Sequence, residues 1–383
     1  MRKICVFIGS RANYSSIKSV MQAIQVHPDL ELQVVVGASA LLDRYGSVVE
    51  LIEKDGFHPL ARVHMLIEGE TPTTMAKSTG LGLLELPTVF EKICPDIVLT
   101  VGDRFETMAT TLAAAYMNLP LAHTMGGEVS GTIDESIRHA VTKFAHIHFP
   151  ACSEARDRIV KMGERPDTVH LVGCPRIDLV MEVITKDRNG IGPDLFAEGV
   201  GGAFDMAKPF IMVSQHPVTT EFGDGEHQIT ETLHAVKKVG IPAIVFWPNA
   251  DAGSEDIARG IRKFRERHED SGMHFFKNLS AETYIRLMVR TACLVGNSSS
   301  AIREGAFIGT PAVNIGSRQD MRQRGNNVVD VDYDATQIAD AIRSKLSHGV
   351  YQPEKIYGDG HAGEKIADIL SQCQVRIQKR IAY

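Results

Sequence analysis

KICVFIGSRANYSSIKSVMQAIQVHPDLELQVVVG, residues 3–37, decides the fold. Two apolar runs, KICVFIG at 3–9 and ELQVVVG at 31–37, flank a helix-period stretch near 14–27. A strand buried on both faces reads as a continuous apolar run, and a helical crossover between two such runs makes them parallel neighbours. The alternation continues outward. Strands are predicted at 97–101 (IVLTV), 119–122, 146–150 (HIHFP) and 168–173 (TVHLVG), with helices near 42–55, 79–93, 105–117, 134–145 and 153–163. One doubly wound α/β domain is therefore expected over 1–185.

Residues 186–208, KDRNGIGPDLFAEGVGGAFDMAK, are glycine-rich and short of long apolar runs, and read as a connection with a short helix. Beyond it the pattern restarts. Strands at 209–214, 241–247, 273–276, 292–296, 311–315 and 327–330 alternate with helices near 226–239, 254–269, 280–289, 299–308 and 335–347. A second Rossmann-like domain is expected over 186–361. The last helix, 362–380, carries Ile366, Ile369 and Leu370 on one face, and is assigned with the tail to 383 to the first domain. At 383 residues, two cores of ordinary size are the expectation. Two open α/β sheets in sequence point to a ligand held in a cleft at the carboxyl ends of their strands.

The balance of charge narrows the partners. A net charge of −6 with no basic stripe argues against nucleic acid, whose phosphates need clustered cations. No run approaches the roughly 18 apolar residues that span a bilayer, and no secretory leader is visible at the N-terminus. The six cysteines form no CxxC pair and mostly sit in apolar surroundings, as buried thiols do in a reducing compartment. A cytoplasmic enzyme is expected. No His/Cys cluster has metal-ligand spacing, so neither a metal nor a cofactor is expected.

Polar residues gather where strands end. After the first strand, Gly9-Ser10-Arg11-Ala12-Asn13-Tyr14-Ser15 offers a cation and a hydroxyl at a helix start, where an anion is favoured; the bland reading is a surface arginine and a cap at Ser15 or Ser16. It is no GxGxxG fingerprint, which disfavours NAD. Gly102-Asp103-Arg104 closes the IVLTV run, and Asp103 reads either as a helix cap or as a catalytic carboxylate. The segment 123–139, HTMGGEVSGTIDESIRH, holds His123, Glu128, Asp134 and His139, more polar groups than capping explains.

In the second half, His216 is locked before a proline, and Asn249 follows Trp247-Pro248 in what is either a nucleoside contact or an Asx turn. Gly296-Asn297-Ser298-Ser299-Ser300 presents N–H and O–H donors suited to a diphosphate at a helix start. Glu304 one turn on suits a ribose, and Arg318 adds a cation. A nucleoside diphosphate is the ligand that uses all of these.

These motifs, GSRANYS, VGDRFE, GGEVSGTIDESIRHAVTKFAH, QHPVTT, PNADAGS, VGNSSSAIRE, GSRQ and KIYGDG, span nearly the whole chain. Together they resemble the hydrolysing UDP-N-acetylglucosamine 2-epimerases of sialic acid and related nonulosonic acid synthesis. The resemblance implies a two-domain, glycosyltransferase-B-like fold and a homodimer or homotetramer taking a UDP-sugar. It implies UDP contacts at Arg11, Ser15, Arg104, His216, Asn249, Leu279 (through its backbone), Ser298, Ser299, Glu304 and Arg318. His123, Met125, Gly126, Gly127, Arg138 and His139 fall on the sugar side. The family reaction removes the C2 proton, expels UDP to leave a glycal, then adds water with inversion at C2. Asp103 and Asp134 match its acid/base carboxylates; Glu128 and His216 join the catalytic set.

The chain departs from the family pattern at one position. Most close relatives carry a glutamate two residues after the histidine of H-x-E-G-G-E, and here Met125 stands there. Methionine cannot move a proton, so either Glu128 serves, or Asp103 and Asp134 do the work, or the substrate is a less polar sugar such as UDP-N,N′-diacetylbacillosamine. Animal members have a lysine after the serine of PNxDAGS at a feedback site; Glu255 holds that place, so this regulation is not expected. The H-x-E-A-G pattern of non-hydrolysing epimerases is absent. Rival readings are a glycosyltransferase of the same fold and a nucleotide-sugar sensor without turnover.

Overall fold

Strand β1 (Arg2–Ile8) is buried from Ile4 onward and pairs in parallel with β2 (Leu30–Gly37), Arg2 opposite Leu30 and Ile8 opposite Val36. The computed structural model describes every residue except 70, 132, 188, 189, 193, 194, 249–251, 278 and 383. With β3 (Pro59–Val63), β4 (Ile97–Val101), β5 (Leu121–Thr124) and β6 (Ile147–Phe149), these strands form a six-stranded sheet in the order β3-β2-β1-β4-β5-β6. All five pairings are parallel. The sheet belongs to a unit made of Met1–Val129, Ile133–Leu179 and Tyr357–Tyr383.

The second unit, Ser130–Thr132 with Val180–Ile356, has seven strands. They are β7 (Val200–Gly201), β8 (Ile211–Ser214), β9 (Ala243–Phe246), β10 (Met273–Phe276), β11 (Cys293–Gly296), β12 (Ala312–Ile315) and β13 (Val328–Val331). Their order is β13-β12-β11-β8-β9-β10-β7, parallel except for the edge strand β7, which runs antiparallel to β10. The two doubly wound sheets expected from the apolar runs are present.

Each unit has a core of its own. In the first, Val35, Val98, Leu86, Phe90, Ala109 and Ala113 join the sheet to the helices Pro72–Ile93 and Phe105–Tyr116. In the second, Val213, Val245 and Val295 meet Leu233, Ile261 and Ile342. Each fully buried side chain of this size contributes roughly 1.5–3 kcal/mol. Among the described residues no helix is long and apolar enough to cross a membrane.

Several elements differ from expectation, each for a local reason. Strand β3 alternates between exposed and partly buried positions, as an edge strand does, so no apolar run betrays it. The expected strand at 168–173 shrinks to a single bridge between Val169 and His148. The helix Pro175–Asp187 was not anticipated, and the helix expected near 14–27 is two helices, Arg11–Ser15 and Lys18–Val26. In place of a helix at 299–308 stand a 3-10 turn, Ser299–Ala301, and a five-residue helix, Glu304–Ile308. The last helix stops at Gln372, where Arg2 Nη1 donates to the carbonyls of Leu370 and Cys373.

Candidate functional site

In the first sheet the strand order reverses between β1 and β4, so the loops leaving these two strands stand side by side at their carboxyl ends. They are tied together. Asn13 takes the Gly9 N–H on Oδ1 at 3.2 Å and sends Nδ2 to the Val101 carbonyl at 3.4 Å. A Cβ on Gly9 would come within 2.3 Å of Cγ of Glu106, so only glycine admits this carboxylate. Glu106 is 1% exposed and accepts Nε of Arg104 at 2.9 Å, which aims the guanidinium. Ser10 caps the Arg11–Ser15 helix by accepting the Asn13 N–H, whereas the Ser15 hydroxyl donates to the Arg11 carbonyl at 2.7 Å.

Asp103 stands two residues past β4, and Arg138 reaches it from the helix Ile133–Phe144. Both Nε, at 2.9 Å, and Nη2 of Arg138 donate to Oδ2 of Asp103, while Nη1 donates to the Glu128 carbonyl at 2.7 Å. Arg138 is 1% exposed, and these donors face protein, which makes it a clamp on Asp103. His123 too bonds protein groups. Its ring is fully enclosed, Nε2 meeting the Gly102 carbonyl at 2.8 Å and Nδ1 the Thr142 hydroxyl at 3.4 Å. Burial, helped by the nearby charges of His148 and Arg138, pulls its pKa down to about 3, so it stays neutral and donates through Nε2.

Met125 follows β5 with φ +58, a conformation that costs a non-glycine residue about 1 kcal/mol or more. Its N–H bonds the Phe149 carbonyl at 2.9 Å, and its buried sulfur lies 3.7 Å from the Cys174 thiol. Gly126 and Gly127 fill a place where no side chain fits: a Cβ would lie 2.8 Å from His123 Nδ1 at the former and 2.4 Å from the Ala155 carbonyl at the latter. Glu128 is buried, whereas Asp103 and Asp134 keep accessible surface. Asp134 sits in the first turn of the helix that supplies Arg138. His139, half-buried on that helix, pairs with Glu135 at 3.5 Å, and burial and then Arg138 lower its pKa.

In the second sheet the order reverses between β8 and β11, which sets the loops 215–216 and 297–298 side by side. Asn297, 0% exposed, clamps His216 from both directions: Oδ1 accepts the His216 N–H at 2.7 Å and Nδ2 donates to its carbonyl at 2.9 Å. The Asn297 carbonyl in turn accepts Arg318 Nη1 at 3.2 Å and Gln319 Nε2 at 2.8 Å. Asn297 thus holds His216 through its side-chain amide and Arg318 through its backbone carbonyl. The Ser298 and Ser300 hydroxyls lie 2.9 Å apart, with the Tyr284 hydroxyl 2.8 Å beyond. Ser299 opens the 3-10 turn and Glu304, buried, the short helix after it. Leu279 is half-buried just before the helix Ala281–Arg290, and Asn249 lies outside the described residues.

The first unit thus groups Asp103, Arg104, Arg138 and Asp134 around one loop and one helix, an arrangement fit for proton transfer beside fixed positive charge. The second groups His216, Ser298, Ser299 and Arg318, donors and a cation fit for phosphate, with Glu304 an acceptor fit for hydroxyls. Glu106, Thr142, Asn297 and Gln319 are the residues that sequence reasoning gave no role. Asn297 had a signal, since it follows a strand-ending glycine where an amide can imitate a peptide partner.

A family model described as UDP-N-acetylglucosamine 2-epimerase matches residues 22–371. A Legionella pneumophila protein, UDP-N,N′-diacetylbacillosamine 2-epimerase (hydrolyzing), is 33% identical over 99% of this chain and 98% of its own. A Neisseria meningitidis UDP-N-acetylglucosamine 2-epimerase is 30% identical over 99% and 98%. The crystal structure of a Neisseria meningitidis UDP-GlcNAc 2-epimerase bound to UDP-GlcNAc superposes with a TM-score of 0.79 at 17% identity, covering 97% of this chain and 99% of that one. That likeness establishes the glycosyltransferase-B-like fold. On the family match and the near-complete coverage of these relatives, the chain belongs to the UDP-N-acetylglucosamine 2-epimerase family.

Proposed function

We propose that the chain is a hydrolysing 2-epimerase that converts UDP-N-acetylglucosamine to N-acetylmannosamine and UDP. A carboxylate takes the C2 proton while the C1–O bond to UDP breaks, its electron pair leaving with UDP, and a C1=C2 glycal remains. Water then gives its hydroxyl to C1, and a proton returns to C2 on the opposite face. The observation that carries this reading is the joining of two carboxylates by one helix: its first turn holds Asp134 and its Arg138 clamps Asp103. Glu128 is buried whereas Asp103 and Asp134 keep accessible surface, which supports these two as the acid/base pair. Arg11, Arg104, His216, Ser298, Ser299 and Arg318 meet the charge that gathers on the departing UDP.

A second reading of the sugar is favoured by Met125. A thioether packed on the Cys174 thiol suits a less polar ring than a glutamate does, and the Legionella pneumophila relative is named for UDP-N,N′-diacetylbacillosamine. Proton NMR of the purified protein with each UDP-sugar in D₂O tests both. Free UDP and a 2-epimeric sugar carrying deuterium at C2 are expected. Transfer of the sugar to an added acceptor would indicate a glycosyltransferase instead, and binding without turnover a sensor.

A further inference from the structure

Past its last helix the chain runs back along the first unit and inserts one ammonium group beneath the helix Ile133–Phe144. Lys379 Nζ donates to the carbonyls of Lys143 (2.8 Å) and Ala145, with that of Thr142 at 3.5 Å. These are orphan acceptors of the helix C-terminus, where the helix dipole also favours a cation. The same ammonium lies 2.7 Å from Oε2 of Glu164, a buried carboxylate that also takes Lys143 at 2.6 Å and His148 at 3.2 Å. Burial alone would raise the Glu164 pKa, but the bonds from His148, Lys143 and Lys379 outweigh it and bring it to about 2. The segment carrying Lys379 is pinned on either side, by His146 Nε2 on the Ile377 carbonyl and by the Ala382 N–H on the Gly163 carbonyl, each at 2.9 Å.

The end of the helix that Lys379 holds is wired to the Asp103 loop by two routes. One turn back along it, Arg138 clamps Asp103 directly. At Thr142, whose carbonyl faces Lys379, the hydroxyl meets His123 Nδ1, and His123 Nε2 holds the carbonyl of Gly102, the residue before Asp103. A shift of the helix end therefore moves both supports of the carboxylate. A cap that served the helix alone would need neither the buried Glu164 nor a segment more than two hundred residues distant.

We propose that Lys379 is a positioning residue for the Arg138–Asp103 pair, acting through the helix Ile133–Phe144 and seated by Glu164. The inference rests on the proposed acid/base role of Asp103 only for its effect on turnover. Three variants test it: Lys379→Met, which keeps the stem and removes the ammonium, Lys379→Arg, which restores a cation, and Arg165→Ala, an exposed control. Lys379→Met is expected to lower kcat about tenfold with KM within twofold. Its amide hydrogen exchange should speed up in peptides covering 100–106 and 133–144, and Lys379→Arg should recover most of both.

Unchanged exchange at 100–106 in Lys379→Met overturns the proposal whether or not the enzyme turns over. A loss of kcat that Lys379→Arg does not relieve, or that Arg165→Ala shares, overturns it as well. Failure of the reading on Asp103 shows separately, as an Asp103→Asn variant that still washes deuterium into C2.

Discussion

Arg138 gives two of its nitrogens, Nε and Nη2, to a single oxygen of Asp103, from a helix that begins thirty residues further along the chain. The planar fork orients the carboxylate, which a lysine ammonium, a point donor, cannot imitate. Arg138→Lys should therefore keep the charge and lose the geometry, with kcat reduced about 100-fold and KM little changed. Asp103→Asn should abolish deuterium uptake at C2, a loss of about 100-fold or more if this carboxylate moves the proton. Arg138→Lys with wild-type kcat would show that the clamp is structural alone. A thermal melt run beside the kinetics separates turnover from folding, because removing one member of a partly buried ion pair also costs stability.

Asn297 does for His216 what a neighbouring strand would do, bonding both its N–H and its carbonyl. Asn297→Ala leaves both backbone groups buried without these partners, at about 2 kcal/mol or more. Asn297→Asp keeps the acceptor and sets a carboxylate oxygen against the His216 carbonyl. Both variants should weaken UDP binding about tenfold by calorimetry and raise KM more than they lower kcat. Equal UDP affinity in Asn297→Ala would remove His216 from the nucleotide side.

Much of this was open to a reader of the sequence, and the exceptions share a cause. Strands buried on both faces, such as IVLTV, declare themselves, and in doubly wound sheets the polar residue after such a strand stands at the carboxyl edge. Asp103 is such a residue. An imidazole near a strand end, such as His123, reads alike whether it faces a ligand or a carbonyl, and its burial is not legible in the sequence. The partnership of Arg138 with Asp103 and the clamp of Asn297 on His216 join residues far apart in the chain, which no local pattern encodes. Strand β3 and the helix Pro175–Asp187 escaped because neither has an uninterrupted apolar run.

Acid should destabilise the first unit in a way that one residue can report. His123 has its pKa drawn to about 3 by burial, well below the ordinary value of 6.5. The unfolded chain therefore binds a proton that the folded chain refuses between these two values, so stability falls as pH drops through that window. His139, His146 and His148, all lowered first by burial, act in the same direction. Between pH 6 and pH 4 the His123 contribution approaches about 1.4 kcal/mol per pH unit. Urea titrations at pH 7, 6 and 5 should show His123→Gln less stable than wild type at pH 7 but with a shallower loss below it. Parallel pH slopes in the two proteins would mean that another group carries the acid sensitivity.

Met125 is where the sugar should declare itself. Its backbone is left-handed, its N–H bonds the Phe149 carbonyl and its buried sulfur rests on Cys174, so a glutamate placed there would bring a carboxylate into a buried position against that thiol. If the natural ring is the less polar one, wild-type protein should favour UDP-N,N′-diacetylbacillosamine over UDP-N-acetylglucosamine in kcat/KM by about tenfold, the range that a few apolar contacts supply. Met125→Glu should then narrow or reverse that ratio, mainly through loss on the diacetylated sugar. Met125→Leu, apolar and of similar volume, should preserve it. Competition between the two UDP-sugars in one tube, read by NMR of the released free sugars, gives the ratio directly. Equal ratios for wild type and Met125→Glu would mean that the thioether does not face the sugar, and UDP-N-acetylglucosamine would stand as the substrate.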